Sequence, residues 1–175
     1  MNIEKLWEKA VAFHGHQCPG LAIGVKACQA AIELLELERA QDEELVCITE
    51  NDACGVDAIQ ALLGCSLGKG NLIYYGTGKQ AFTFYRRRDG KGVRLYLKAE
   101  NPGLEREDWM HHLLHMAPEE AFSVGQPQLP LPQRARRFAS VTCQICGEKA
   151  AEHTMHLQEG KWVCSHCFAP YKRGW

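Results

Sequence analysis

A regular apolar series near the start of the chain predicts a first helix that runs up to the polar loop "FHGHQCPG". The series consists of Ile3, Leu6, Trp7, Ala10 and Val11. A second helix is predicted from Pro19, because proline suits the first helical position, with Cys18 near its cap. The apolar stripe of this helix extends over residues 21–35. The loop therefore lies between two helices.

Short apolar segments later in the chain predict strands. Residues 45–49, "LVCIT", form the first strand, and a third helix is expected from its cap, Asp52, to about Leu63. The segments "NLIYYG", "QAFTFYRR" and "VRLYLK" are separated by glycine-bearing turns and predict an antiparallel meander. A last helix is predicted over about residues 104–122. Helices and strands in this order predict an α+β core.

A change in composition divides the chain. Residues 123–140, "SVGQPQLPLPQRARRFAS", hold three prolines and three arginines without a periodic apolar pattern, which is typical of a linker. The predicted organisation is a core over residues 1–122, this linker, and a small domain over residues 141–175.

The small domain carries two Cys-x-x-Cys pairs separated by seventeen residues. The four cysteines are Cys143, Cys146, Cys164 and Cys167. Four thiolates complete the tetrahedral shell of a structural zinc ion, so the spacing predicts a zinc ribbon. Redox-active cysteine pairs are the alternative. A closed four-sulfur shell stabilises the fold and leaves no coordination position for catalysis, so His153, His156 and His166 are not expected to be ligands.

A second set of candidate ligands lies in the core. His14, His16 and Cys18 share the polar loop, and Cys54 is placed in the first turn of the third helix, with Asp57 three residues further on the same face. Imidazole and thiolate together suit zinc and other transition metals. The alternative is a capping loop with a buried, inert Cys18. Two further cysteines, Cys28 and Cys47, are expected to be buried apolar residues, and Cys65 is either a third thiol or buried at a helix end.

Composition narrows the function classes. The 175 residues are 46% hydrophobic and 23% charged with a net charge of −1, which excludes attraction of the whole molecule to nucleic acid but not a local basic patch. Nine cysteines cannot all pair with one another, and a reducing compartment favours metal ligation or thiol chemistry. The N-terminal segment lacks the apolar run of a secretory signal, and no apolar run approaches membrane-spanning length, so a cytoplasmic protein without a membrane segment is predicted.

Three motifs within about residues 10–98 resemble the FmdE family, which takes its name from a component of formylmethanofuran dehydrogenase. They are "FHGHQCPGLAIGVKA", "ENDACGVDAIQALLGCSLGKGNL" and "GKQAFTF". The resemblance implies a mixed sheet in α-β-α-β-β-β order, a homodimer, and a shared cleft that binds a metal. The implied cleft residues are His14, His16, Cys18, Cys54, Asp57 and Cys65. The terminal module resembles the zinc ribbon that some members carry.

Three functions follow from these features. The first is a metal-binding protein accessory to molybdenum or tungsten enzyme systems, or a small enzyme in its own right. For this first function, His16, Cys18 and Cys54 are expected to hold a second metal ion, zinc, with His14 and Cys65 beside them. The catalytic candidates are Cys18, Cys54 and Asp57, with Asp57 as the base.

The second function is a metal- or redox-responsive regulator whose ribbon, with Arg134, Arg136 and Arg137, contacts nucleic acid or a protein partner. The third is thiol or sulfur handling through exchange of a Cys18–Cys54 disulfide. The pterin and iron–sulfur chemistry of formylmethanofuran dehydrogenase itself is excluded, because the chain is small and has no ferredoxin-like cysteine run.

Overall fold

The first two helices begin and end at the residues that the sequence indicates. The computed structural model describes residues 2–174. Helix α1, Ile3–His14, is capped by Asn2, whose side chain accepts hydrogen bonds from the amides of Glu4 and Lys5. Helix α2, Pro19–Leu35, has Cys18 at its cap, where the thiol sulfur accepts from the amide of Leu21. The predicted helix starts are confirmed.

The core sheet has five strands and mixed pairing, as the predicted α+β fold requires. The strands are β1 Leu45–Thr49, β2 Leu72–Tyr74, β3 Ala81–Arg86, β4 Lys91–Leu97 and β5 Phe122–Gly125. Their order is β2-β1-β3-β4-β5, with β1 and β2 parallel and the other neighbours antiparallel.

The predicted three-stranded meander is therefore wrong for β2. A helix, α3 Gly55–Leu63, carries the chain from β1 to β2, and such a crossover returns the chain in the parallel direction. Strand β1 then lies between β2 and β3, and all of its residues are buried. Only β3 and β4 form the predicted hairpin.

Two helix boundaries also differ from the prediction. Cys54, not Asp52, occupies the cap of α3. The predicted last helix is divided into α4, Arg106–His115, and α5, Pro118–Ala121, because Pro118 lacks an amide donor and holds Ala117 in an extended conformation. Within residues 2–174 no helix combines the length and the hydropathy needed to cross a bilayer.

The proline-rich segment is bound to the sheet instead of forming a free linker from residue 123. Residues 123–125 pair with β4, and the N-terminal unit extends to Ala135. The hydroxyl of Tyr85 donates to the carbonyl of Leu129, and the guanidinium of Arg87 donates to the carbonyl of Pro132 over 2.7 Å. Extended proline-rich backbone exposes carbonyl acceptors, and donors from the sheet satisfy them.

Helices α2 and α3 approach each other unusually closely, and this contact positions the site. A Cβ atom added to Gly24 would lie 2.2 Å from the carbonyl oxygen of Gly55. Only glycine allows two helix backbones to come this near. Because Gly55 directly follows Cys54, the contact brings the start of α3 against the start of α2.

The C-terminal unit, residues 136–175, consists of two small hairpins. Strands β6 Ser140–Thr142 and β7 Lys149–Ala151 form one, and β8 Met155–Gln158 and β9 Lys161–Cys164 form the other. Within the described part of this unit, only Cys143 and Val163 are buried. Two buried side chains supply too little apolar burial to hold forty residues folded, so the cysteine cluster has to supply the rest.

Candidate metal centres

The polar loop brings three potential ligands together over a few residues. Gly15 ends α1 with a left-handed φ of +91°, which turns the chain immediately after His14. His16 follows in the loop, and Cys18 caps α2. One donor atom from each of His14, His16 and Cys18 lies within 4.8 Å of the other two. The loop is a compact donor cluster rather than a spread-out turn.

His14 is held by contacts on both of its ring nitrogens. Its Nδ1 lies 2.7 Å from Asp57 Oδ2, and its Nε2 lies 3.8 Å from Cys18 Sγ. A carboxylate accepts only, so Nδ1 carries the proton and the lone pair of Nε2 faces the cluster. The ring also contacts that of His16, with centroids 4.3 Å apart. His14 is predicted from the sequence to lie beside the ligand set, whereas the structure brings it into the cluster with Asp57 behind it.

Cys54 brings a second sulfur to the edge of this cluster. A Cβ atom added to Gly20 would lie 3.7 Å from Cys54 Sγ and 3.9 Å from Cys18 Sγ, so both sulfurs border the same glycine. Cys18 is buried and Cys54 half-buried. Burial, and then the Cys18 thiol, raise the pKa of Cys54. Cys54 lies outside the group of donors that are all within 4.8 Å of one another.

A cavity of about 500 Å³ opens beside the cluster. Its lining includes His14, Cys54, Asp57, Gln60, Leu67 and Tyr74. Gln60 donates to Asp57 Oδ1 over 3.1 Å, so both oxygens of that carboxylate are engaged. A second cavity, of about 380 Å³, reaches Cys18 from the side of α4 and is lined in part by Arg106. Small molecules can approach the two thiols from different directions.

Several residues that line these cavities are absent from the predicted site, among them Gln60, Tyr74 and Arg106. A signal for Gln60 is present in the sequence, because it lies three residues after Asp57 and hence on the same helical face. Tyr74 and Arg106 enter the cavities from β2 and α4, and only the tertiary fold places them there.

The structure does not bring Cys65 to the cleft. Cys65 is fully buried in the apolar core, and burial raises the pKa of its thiol to about 12. Cys28 and Cys47 are also fully buried, as predicted, and burial raises the pKa of both well above the usual value. Gly64 ends α3 with a left-handed φ of +72°, and the chain turns Cys65 inward after it.

The second cluster is the set of four cysteines in the C-terminal unit. Each contributes a sulfur that lies within 4.8 Å of the other three. The amide of Gly147 donates to the carbonyl of Cys143, and the amide of Cys167 to that of Cys164, which closes a tight turn around each pair. Backbone amides, those of Cys146 and Cys164 first, lower the pKa of Cys143 to about 6. Burial and the neighbouring thiols raise the pKa of Cys167 to about 12.

Two of the histidines in this unit make other contacts. The ring of His153 contacts that of Phe138 at a tilt of 33° with centroids 3.8 Å apart, and His156 stacks on Phe168 with centroids 4.1 Å apart. His156 Nε2 also lies 3.2 Å from the hydroxyl of Ser165. A four-sulfur donor set of this kind can hold a metal ion without help from either ring.

Comparison with known proteins identifies the same family as the three sequence motifs. Residues 13–127 match the family model "FmdE, Molybdenum formylmethanofuran dehydrogenase operon". A curated protein of Archaeoglobus fulgidus, named "Probable S-adenosyl-L-methionine-binding protein", is 32% identical over 202 aligned positions. The alignment covers 97% of this chain and 54% of that protein, so the chain spans about half of the length of the curated relative.

A solved structure shares the fold. It is a tungsten formylmethanofuran dehydrogenase FmdE-like protein from Syntrophus aciditrophicus, with a TM-score of 0.71 and 24% identity. The match covers 95% of this chain and 92% of the other, so it includes both units. The family model, by contrast, spans the core donor cluster and ends before the four cysteines.

Proposed function

This chain belongs to the FmdE family, and we propose that it is a metal-binding accessory protein of molybdenum or tungsten enzyme systems that holds zinc in its core cleft. One observation carries the proposal: the donor atoms of His14, His16 and Cys18 form a group within 4.8 Å, beside a cavity. The enzyme system is inferred from names alone. The family is named after the operon of a molybdenum enzyme, and the similar solved protein is named after a tungsten enzyme.

The donor set fits a transition metal of borderline softness. Imidazole and thiolate are the ligands that zinc prefers, and Cys54 adds a second sulfur next to Cys18. A histidine that binds metal usually donates its other ring N–H to a carboxylate, and Asp57 lies in that position 2.7 Å from His14. Burial, and then the neighbouring Cys18 thiol, raise the pKa of Cys54, and a bound cation would oppose both effects by stabilising the thiolate.

The residues around the cluster have separable roles. Bound zinc supplies Lewis acidity or activates a water molecule. Asp57 fixes the tautomer of His14 and is held in turn by Gln60, which makes it a positioning group and a weaker candidate for a free base. Cys54 lines the larger cavity, so it is the thiol that a bound small molecule meets first. Cys18 is buried and anchors the cluster.

Metal analysis of the full-length protein, purified with reduced thiols, tests the site. We expect metal in both clusters. His14→Ala and Cys18→Ser should each remove the core metal while the four-cysteine cluster keeps its own. His111→Ala, an exposed histidine on α4, is the matched control and should change nothing. Metal confined to the four-cysteine cluster in the unaltered protein would show the core proposal to be wrong.

A second test addresses the accessory role. Cells that lack this protein should accumulate less active molybdenum- or tungsten-dependent dehydrogenase at the same level of dehydrogenase polypeptide. Restoration by the unaltered chain, but not by the Cys18→Ser variant, would tie the effect to the core cluster. Unchanged dehydrogenase activity in those cells would contradict the accessory role without affecting the metal assignment.

Thiol or sulfur handling is the second candidate, because both Cys18 Sγ and Cys54 Sγ lie within 4 Å of one point beside Gly20. Diamide, a mild two-electron thiol oxidant, should then join these two sulfurs and release any core metal. Peptide mapping that finds both thiols free after oxidation excludes this candidate.

We propose that the protein is a cytoplasmic homodimer. Within each chain the N-terminal and C-terminal units, divided between Ala135 and Arg136, fold independently. A chain ending at Ala135 should remain folded and dimeric by light scattering. A chain ending at Phe122 would lack β5 pairing and should be less stable. A monomeric full-length protein would contradict the dimer.

A further inference from the structure

The C-terminal unit has a second feature that its metal cluster does not use. A cavity of about 460 Å³ opens on the unit, within the size range of small-molecule sites. Its lining consists of Phe138, Val141, Glu152, His153, Met155 and Trp162. Half of these side chains are aromatic, and one is a carboxylate.

Trp162 forms one wall and is fixed by the metal-holding turn. The residue is 50% exposed, although tryptophan is normally well buried. Its amide donates to Gln144 Oε1 over 2.6 Å, and its carbonyl accepts from the amide of Gln144 over 2.9 Å. Gln144 lies between Cys143 and Cys146. The four-cysteine cluster therefore orders the backbone that presents this ring.

The other wall is equally ordered. The rings of Phe138 and His153 are in contact, tilted by 33° with centroids 3.8 Å apart, and the Arg136 guanidinium lies 5.3 Å from the Phe138 ring. The amide of Glu152 donates to the carbonyl of Ala139 over 2.8 Å, and Ala139 donates back to the Glu152 carboxylate over 3.4 Å. These contacts hold the Phe138 ring and the Glu152 carboxylate near Arg136, and Arg137 is the next residue along the chain.

This combination indicates the chemistry of the occupant. Exposed planar rings favour a flat aromatic ligand, and adjacent arginines favour a ligand with phosphate groups. The Glu152 carboxylate favours hydrogen-bond donors at the edge of that ligand and repels the carboxylates of an acidic peptide. We propose that the cavity binds an unstacked base of a single-stranded nucleic acid, with Arg136 and Arg137 on the neighbouring phosphates.

The carboxylate also indicates which base is preferred. The amino group of cytosine can donate to Glu152, whereas uracil presents a carbonyl oxygen at the same position of its ring. Cytosine is therefore preferred over uracil. This site is separate from the core cleft and does not depend on what the core metal does.

Fluorescence anisotropy with labelled oligocytidylate and oligouridylate tests the proposal on the full-length, metal-loaded protein. Oligonucleotides of about 12 nucleotides lie within the range of about 4–16 nucleotides that one small binding domain covers. We expect cytidylate to bind more tightly, and both to weaken as salt rises. Trp162→Leu should weaken binding about tenfold or more, since base stacking on one ring contributes that much. Trp162→Phe keeps a ring and should retain most of the affinity.

The remaining variants separate the contributions. Glu152→Gln should abolish the cytosine preference while binding persists. Replacing Arg136 and Arg137 with alanine should lower the slope of log affinity against log salt by about 0.7 for each phosphate that is no longer neutralised. Tyr171→Ala removes an aromatic ring that is 88% exposed and lies outside the cavity lining, so it should have no effect.

Three results would overturn the assignment. They are the absence of binding at low salt, equal losses of affinity from Trp162→Leu and Tyr171→Ala, and tighter binding of an acidic peptide than of either oligonucleotide. Metal content is measured for every variant. If Trp162→Leu loses its metal, Phe138→Leu replaces it and must show the same loss of affinity with metal retained.

Discussion

Substitution of Gly24 by alanine tests the helix contact that builds the core cluster. The added Cβ would lie 2.2 Å from the carbonyl oxygen and 2.5 Å from the Cα of Gly55. Favourable non-bonded contacts begin at about 3.5 Å, so α2 and α3 must move apart by about 1 Å. Both opposing atoms belong to the backbone and cannot rotate away.

The expected magnitude follows from two opposing terms. Overpacking of this kind costs about 1–3 kcal/mol, and the rigid partner places Gly24→Ala at the upper end. The higher helix propensity of alanine relative to glycine offsets this cost by about 1 kcal/mol in the free energy of unfolding. We therefore expect a net loss of about 2 kcal/mol in the free energy of unfolding of the N-terminal unit. Since Cys54 directly precedes Gly55, the same movement should weaken metal binding by the core cluster.

Urea unfolding followed by circular dichroism measures the stability change, and metal analysis of the same samples measures the site. Gly68→Ala is the matched control, because a Cβ atom there meets nothing within 4 Å. It should change stability by less than about 0.5 kcal/mol. If Gly24→Ala proved as stable as the unaltered protein, the close approach of the two helices would be refuted.

Three further predictions concern individual side chains. Cys164→Ser should remove the metal of the C-terminal unit and make that unit sensitive to protease while the core stays folded; a compact, resistant tail without metal would contradict this. Asp57→Asn should weaken core metal binding about 10–100-fold, measured by competition with a chelator, because His14 loses the carboxylate that orients it. Asp42→Asn is the control and should have no effect, because Asp42 is exposed and lies outside the lining of the cavity beside the cluster. The guanidinium of Arg86 lowers the pKa of Asp89 from 3.8 to about 2, so its contribution to stability is present above about pH 4 and is lost as pH falls toward 2. Asp89→Asn should flatten acid unfolding in that window, and an unchanged acid profile would show that the ion pair contributes nothing.

The donor cluster in the loop is predictable from the sequence because it is local. His14, His16 and Cys18 lie within five residues, so a single turn brings them together. The roles of the two histidines are not predictable in this way, since they depend on which ring nitrogen meets Asp57, forty-three residues away. Spacing along a chain identifies ligand types, whereas tertiary contacts decide their orientation.

Strand pairing and the last helix show two different kinds of error. The segment around β2 has a strand composition, but composition does not state its partner, and the α3 crossover makes that partner β1. The break before Pro118 is predictable, because proline disfavours helix at the preceding residue. The partner of β2 thus depends on tertiary packing, whereas the helix break depends on the single residue Pro118.

The placement of Cys54 joins these observations. Both α2 and α3 begin directly after a cysteine, so each of the two thiols lies at the start of its helix. Two such caps meet only if the helix backbones nearly touch at their starts. Gly20 and Gly24 lie one helical turn apart on α2, and Gly55 faces them from α3. The glycines therefore have no chemistry of their own, yet they determine that the two sulfurs share one cleft.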